Sequence, residues 1–300
     1  MIRIGCAIIA FFAWQTSIAL AGRLVSESIY SSALGREMPY VIYLPDGYRN
    51  NDLRYPVLYL LHGAGGDEQA WPNLGHIKQK ADDLIDEGTI PPAIIVMPGC
   101  PACWWVDGAK EKCETAFWSD LVPSIDNQYR TIASRRGRLI AGLSAGGYGA
   151  VRFALRYPGK IAAVAALSPA VYTDTVPLFS AARSQPQFLT SEGRFDRAAW
   201  DRQNYPALID SYFSQSRRVS FYLVTGNNDR LGIAKETERL ARRLRESQTE
   251  DIEFHVVEGD HSWKVWEPAI GGAMRFMFRF AGRPRPENRT AGITAGSLNR

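Results

Sequence analysis

The sequence predicts an α/β protein: a mostly parallel, twisted sheet with helices on both faces and an antiparallel start. Three observations predict it. Short apolar runs recur along the chain, as in Tyr55-Pro-Val-Leu-Tyr-Leu-Leu61 and Lys160-Ile-Ala-Ala-Val-Ala-Ala-Leu167, and strands covered on both faces need such runs. Helix-length segments separate them, which is the alternation of a parallel sheet. Ahead of these units, Leu24 to Ser31 and Glu37 to Leu44 read as two early strands and supply the antiparallel start.

Taken in order, the chain opens with Arg3, the apolar run Ile4 to Trp14, and Ala19-Leu-Ala21 before Gly22. A charged start, an apolar stretch and a small-x-small site make a signal peptide. Residues 1–21 are therefore expected to be a leader, with a retained membrane anchor as the alternative; Cys6 lies too early to carry a lipid. No later stretch is long and apolar enough to span a bilayer, so no stable insertion is expected after cleavage. Residues 22–281 form one domain, and a secreted or periplasmic location follows from the leader. Residues 282–300, rich in Gly, Pro, Thr and Asn, read as a disordered tail that holds the sequon Asn288-Arg-Thr290. The formal charge of +4 comes from Arg3 and from that tail, which carries four arginines against one glutamate. The domain itself has no basic field that would point to nucleic acid.

The first parallel strand, Tyr55 to Leu61, ends in His62-Gly-Ala-Gly-Gly66. The next, Pro92 to Met97, runs into Cys100, Cys103-Trp-Trp-Val-Asp107 and Cys113. Export makes these three cysteines candidates for pairing, Cys113 with Cys100 or Cys103, or Cys100 with Cys103, and an odd count leaves one over. A zinc site is the competing reading, and it lacks a fourth ligand nearby. Arg138 to Ala141 then breaks into Gly142-Leu-Ser144-Ala-Gly146 ahead of a helix from Ala145 to Tyr157. A lone G-x-S-x-G says little, but strand, tight turn and helix are the nucleophile elbow of an α/β-hydrolase. Glycine suits its flanks because it has no Cβ, and the central serine is lifted above the sheet edge.

Such sites place the acid and then the histidine after the serine. Of four histidines, His62 and His76 precede Ser144. His255 lies within the strand Asp251 to Val257, whereas His261 follows in the loop Glu258-Gly-Asp-His261 at the strand's C-terminal end, where catalytic groups gather. His261 is the expected base. Arg218 to Thr225 runs into Gly226-Asn-Asn-Asp229 before a helix near Gly232, so Asp229 is the expected acid, with Asp260 as the fallback. The oxyanion donors are then the amides of Ala64, in the His-Gly loop, and Ala145, after the nucleophile. Between the later strands, Gln185 to Ser216 breaks the alternation with Phe188, Phe195, Trp200, Tyr205, Tyr212 and Phe213, in the place where a cap would be inserted. A helix from Val265 to Phe280 closes the domain.

Leu61-His-Gly-Ala-Gly-Gly-Asp67 with Trp71, Gly142-Leu-Ser-Ala-Gly-Gly-Tyr-Gly149 and His261-Ser-Trp-Lys-Val-Trp266 together resemble the esterase D-like branch of the α/β-hydrolases. That branch includes feruloyl and acetyl-xylan esterases, S-formylglutathione hydrolases and bacterial mycolyltransferases. The resemblance runs from about Leu24 to Phe280 and carries the catalytic role onto His261. Two departures stand out: Ala145 replaces a common methionine, and the cysteine-containing insert before Trp104 lies outside the pattern. In the resembling esterases a Trp-Tyr-x-Asn/Asp stretch stands beside the cleft, which makes Trp104 and Trp105 a substrate platform or, equally, loop packing. Trp263 and Trp266 are likewise expected beside the substrate. The resemblance implies a serine esterase acting without cofactor or metal on a small-molecule or glycan ester, an acylated sugar, aryl or short-acyl ester. The rivals are an acyltransferase that moves the acyl group to a sugar hydroxyl, and a non-catalytic envelope or glycan-binding protein.

Overall fold

The computed structural model describes residues 21–101, 103–109 and 111–287. The expected leader apart from Ala21, the sequon at Asn288 and the tail beyond Glu287 lie outside the described residues. In chain order the strands are β1 (Arg23–Ser31), β2 (Arg36–Leu44), β3 (Leu53–Arg54), β4 (Val57–Leu61), β5 (Ile94–Pro98), β6 (Arg138–Leu143), β7 (Ala163–Leu167), β8 (Ser220–Gly226), β9 (Ile252–Val257) and β10 (Arg285–Pro286). Eight of them form one sheet in the order β1-β2-β5-β4-β6-β7-β8-β9. β1 and β2 are antiparallel, β2 is antiparallel to β5, and every later pairing is parallel.

The apolar runs are continuous because both faces of the sheet are covered. Along β4, Tyr59 and Leu61 enter one core while Leu58 and Leu60 enter the other, the period-two alternation of a strand. The first core is closed by the helices Ala145–Arg156 and Ile233–Arg245, through Phe153, Leu240 and Leu244. The second is closed by Ile77–Asp86, whose Ile77, Ala81 and Leu84 share one helical face, and by Trp263–Phe278. Each fully buried Leu or Phe in these layers contributes about 1.5–3 kcal/mol relative to exposure.

Several elements differ from expectation for local reasons. The strand expected from Tyr55 begins at Val57: Pro56 has no N–H, and Tyr55 instead donates to the Arg130 carbonyl and accepts from Ile132, both at 2.8 Å. The strand expected from Lys160 begins at Ala163, because the Lys160 amide closes a turn onto the Tyr157 carbonyl at 2.8 Å. The tail expected to be disordered from residue 282 has ordered first residues: Arg285 and Pro286 pair antiparallel with Arg54 and Leu53. The cap-like segment Gln185 to Ser216 does lie between β7 and β8 in the chain, but its aromatics turn inward. Phe188, Trp200, Tyr205 and Tyr212 are buried, and Trp200 stacks on Tyr148 of the helix that follows β6.

Candidate active site

β6 ends at Leu143 and delivers Ser144 at φ 52°, ψ −113°, a conformation unfavourable for a side chain by about 1–3 kcal/mol. Neighbouring elements over-determine it. The Ser144 amide donates to the Leu167 carbonyl at 2.9 Å, and its carbonyl accepts from Tyr148 and Ala170. Glycine is required on both flanks by close approach: a Cβ on Gly142 would strike the backbone of Gly146, and one on Gly146 would strike the carbonyls of Leu61 and His62.

The loop after β9 turns at Gly259 (φ 137°) and places His261 just before the helix Trp263–Phe278. His261 Nε2 lies 2.9 Å from Ser144 Oγ, and His261 Nδ1 lies 2.7 Å from Asp229 Oδ2. Asp229 sits beyond β8 with its side chain wholly buried, and its Oδ1 accepts the Leu231 amide at 2.9 Å. That carboxylate selects the tautomer with Nδ1–H donating to Asp229, which leaves Nε2 as the acceptor for the Ser144 hydroxyl. The indole of Trp266 meets the imidazole edge-on at 4.9 Å and is itself fixed by donation to Ser168 Oγ. His255 lies elsewhere, exposed and beside Glu253, and the Asp260 carboxylate accepts from Ser262.

Two backbone donors on the loops around Ser144 have no hydrogen-bond partner among the described residues. Ala145 opens its helix, so its amide has no intrahelical acceptor, and the Ala64 amide has no acceptor among the described residues. The Ala64 loop is held by His62, which sequence reading recognised only as the loop's start. His62 is buried; its Nδ1–H donates to the Gly63 carbonyl at 2.7 Å, and its Nε2 accepts the Cys100 amide at 3.0 Å. Burial holds it neutral, with its pKa lowered to about 4.

A cavity of about 410 Å³ opens above Ser144 and His261. Trp104, Trp263 and Trp266 line it, with Trp104 nearly inaccessible at its floor. Trp105 does not line the cavity, which corrects its expected place beside the substrate. It is fully buried, donates from Nε1 to the His62 carbonyl at 3.1 Å, and packs so tightly on Gly149 that a Cβ there would strike its ring. Consecutive residues of an irregular loop face different ways, so one tryptophan became floor and the other core. The sequence reading missed Leu74, Tyr172, Phe179, Ser180 and Leu231 in the lining. Tyr172 and Ser180 follow the C-terminal end of β7, the edge that already marked the other site loops.

The three cysteines meet behind this floor, all buried. The Cys113 sulfur is within bonding reach of both Cys100 and Cys103, with Cα separations of 6.9 and 6.4 Å. Cys113 could bridge only one of the two at a time, which would leave one thiol over. Among the described residues, no histidine or further cysteine joins the cluster to complete a tetrahedral metal site. Next to Cys113, the buried Glu114 takes Arg152, Arg156 and Tyr157, tying the segment to the helix that follows Ser144.

The sequence profile of the family described as "Putative esterase" matches residues 31–277. An endo-1,4-beta-xylanase/feruloyl esterase of Xylanibacter ruminicola is 34% identical over 157 residues, 49% of this chain and 22% of that protein. An esterase of Mycobacterium tuberculosis is 36% identical over 154 residues, 49% of this chain and 32% of that protein. The chain thus spans a third or less of the length of these two relatives. Among solved structures, a ferulic acid esterase superposes with a TM-score of 0.74 at 26% identity, covering 88% of this chain and 100% of that one.

Proposed function

The chain belongs to the esterase family, and on that premise we propose that it is an exported serine carboxylic-ester hydrolase working through Ser144, His261 and Asp229. The observation that carries this reading is the unbroken hydrogen-bonded series from Ser144 Oγ to His261, 2.9 Å, and from His261 to the buried Asp229, 2.7 Å. Ser144 Oγ attacks the ester carbonyl while His261 Nε2 takes its proton, and the amides of Ala64 and Ala145 receive the oxyanion. Asp229 steadies the imidazolium without taking the proton. The tetrahedral intermediate collapses, His261 protonates the departing alcohol, and the acyl group stays on Ser144. Water, deprotonated by His261, attacks that acyl-enzyme and releases the acid.

Substrates of the class acylated sugar, aryl ester or short-acyl ester fit a cavity of about 410 Å³ walled by Leu74, Phe179 and Trp263. The feruloyl esterase name of one relative and of one structural neighbour supports the same class. Export is supported by the leader-like start of the sequence and by the cysteine cluster. A fluorophosphonate probe should label the purified protein at Ser144, and Ser144→Ala should abolish both labelling and hydrolysis of p-nitrophenyl acetate. Full turnover by the alanine variant would defeat the reading.

A further inference from the structure

Two cavities meet at His261 and Leu231, and their other walls are chemically opposite. The one that holds Ser144 and Ala64 is lined largely by carbon, and among the described residues that line it the ionisable side chains are His261 and the buried phenol of Tyr172. Its mouth is unusual in what it shows to water. Among the described residues the large exposed hydrophobics are Tyr30, Leu74, Leu178, Phe179, Val256 and Val257. Leu74 and Phe179 line this mouth, and Leu178, 83% exposed, adjoins it in the chain. Apolar side chains gathered in water beside a cleft mark a binding surface. A charged acyl group there would be desolvated without a partner.

The second cleft, about 690 Å³, is edged by Asn228, Arg230, Leu231, Asp260 and His261, and does not include Ser144. Arg230 is exposed and makes no hydrogen bond or ion pair among the described residues, and the Asn228 side chain is likewise unengaged. The Asp260 carboxylate is held in its charged form by the Ser262 hydroxyl. A guanidinium, an amide and a carboxylate together offer both donors and acceptors, which is what adjacent hydroxyls require.

Resting on the serine-esterase reading, we propose that the ester is divided at His261: an apolar acyl group lies against Leu74, Leu178 and Phe179, and a polyhydroxyl alcohol lies against Asn228, Arg230 and Asp260. The chemistry fixes which half goes where. The acyl carbon must reach Ser144 and the amide of Ala64, both in the first cavity. The departing oxygen must instead take its proton from His261 Nε2, and so leaves toward the second cleft, which His261 also edges and Ser144 does not.

Four substrates test this: acetyl and octanoyl esters, each of p-nitrophenol and of methyl glucoside. In the wild type, kcat/KM should rise at least tenfold from acetyl to octanoyl with either alcohol, since each buried methylene favours binding. Phe179→Ser with Leu178→Ser should remove most of that rise with both alcohols. Arg230→Ala should raise KM for the glucosides about tenfold more than for the p-nitrophenyl esters, whatever the acyl group, and Asn228→Ala should act in the same direction. An acetyl preference in the wild type overturns the acyl half. An Arg230 variant that alters chain-length preference, or leaves the glucoside-to-nitrophenyl ratio unchanged, overturns the alcohol half. If a fluorophosphonate still labels Ser144 of the wild type, only the division at His261 has failed; if it does not, the esterase reading itself has failed.

Discussion

His62 should make the protein measurably acid-labile, through a group that takes no part in proton transfer. Its ring is buried, donates to Gly63 and accepts from Cys100, and its pKa falls from 6.5 to about 4. The unfolded chain therefore binds a proton between about pH 6.5 and 4 that the native protein refuses, so stability falls as pH falls through that window. With 1.36 kcal/mol per unit, the loss from this one residue is about 2 kcal/mol at pH 5 and about 3 kcal/mol at pH 4. His62→Asn keeps a donor and an acceptor but does not titrate. Urea unfolding at half-unit steps from pH 7 to 4 should show the variant less stable than wild type at pH 7 and the gap closing by about 2 kcal/mol at pH 5. A gap that stays constant across the series would mean His62 is protonated in the folded protein, and the tautomer assignment built on Gly63 and Cys100 would be wrong.

His261→Ala should lower kcat by several orders of magnitude and Asp229→Asn by roughly 10³–10⁴, while His255→Ala, on an exposed strand end, should cost far less in the same ester assay. Non-reducing peptide mapping should find Cys113 cross-linked to Cys100 or Cys103. Because Cys113 reaches both, Cys100→Ala and Cys103→Ala should each keep a bridge, whereas Cys113→Ala should lose about 3 kcal/mol in denaturant titration; three free thiols in the native protein would end this. Trp105→Ala should destabilise by about 3–5 kcal/mol with little change in KM per folded molecule, and Trp104→Ala, at the cavity floor, should raise KM; equal effects on KM would return both to one role.

Much of the site was legible because a parallel sheet imposes it. Strands that all point one way bring the loops after β4, β6, β8 and β9 to one edge, so Ala64, Ser144, Asp229 and His261 had to be near neighbours once those strands were recognised. Apolar continuity announced burial on both faces, and Gly142 and Gly146 announced a backbone turn with no room for a Cβ. These are local properties, written in runs of a few residues. What lies across a gap is not local. Which of Trp104 and Trp105 faces the cavity depends on Gly149 and His62, which are distant in the chain. The inward turn of Phe188 and Trp200 depends on Tyr148, and the ordering of Arg285 and Pro286 depends on the unpaired edge of Leu53 and Arg54. Hydrophobic period and chain order were enough to give the sheet, its direction and the loops gathered at its C-terminal edge. The cavity's floor, its apolar lip and the meeting of three cysteines arise from contacts between distant segments, which no short pattern encodes.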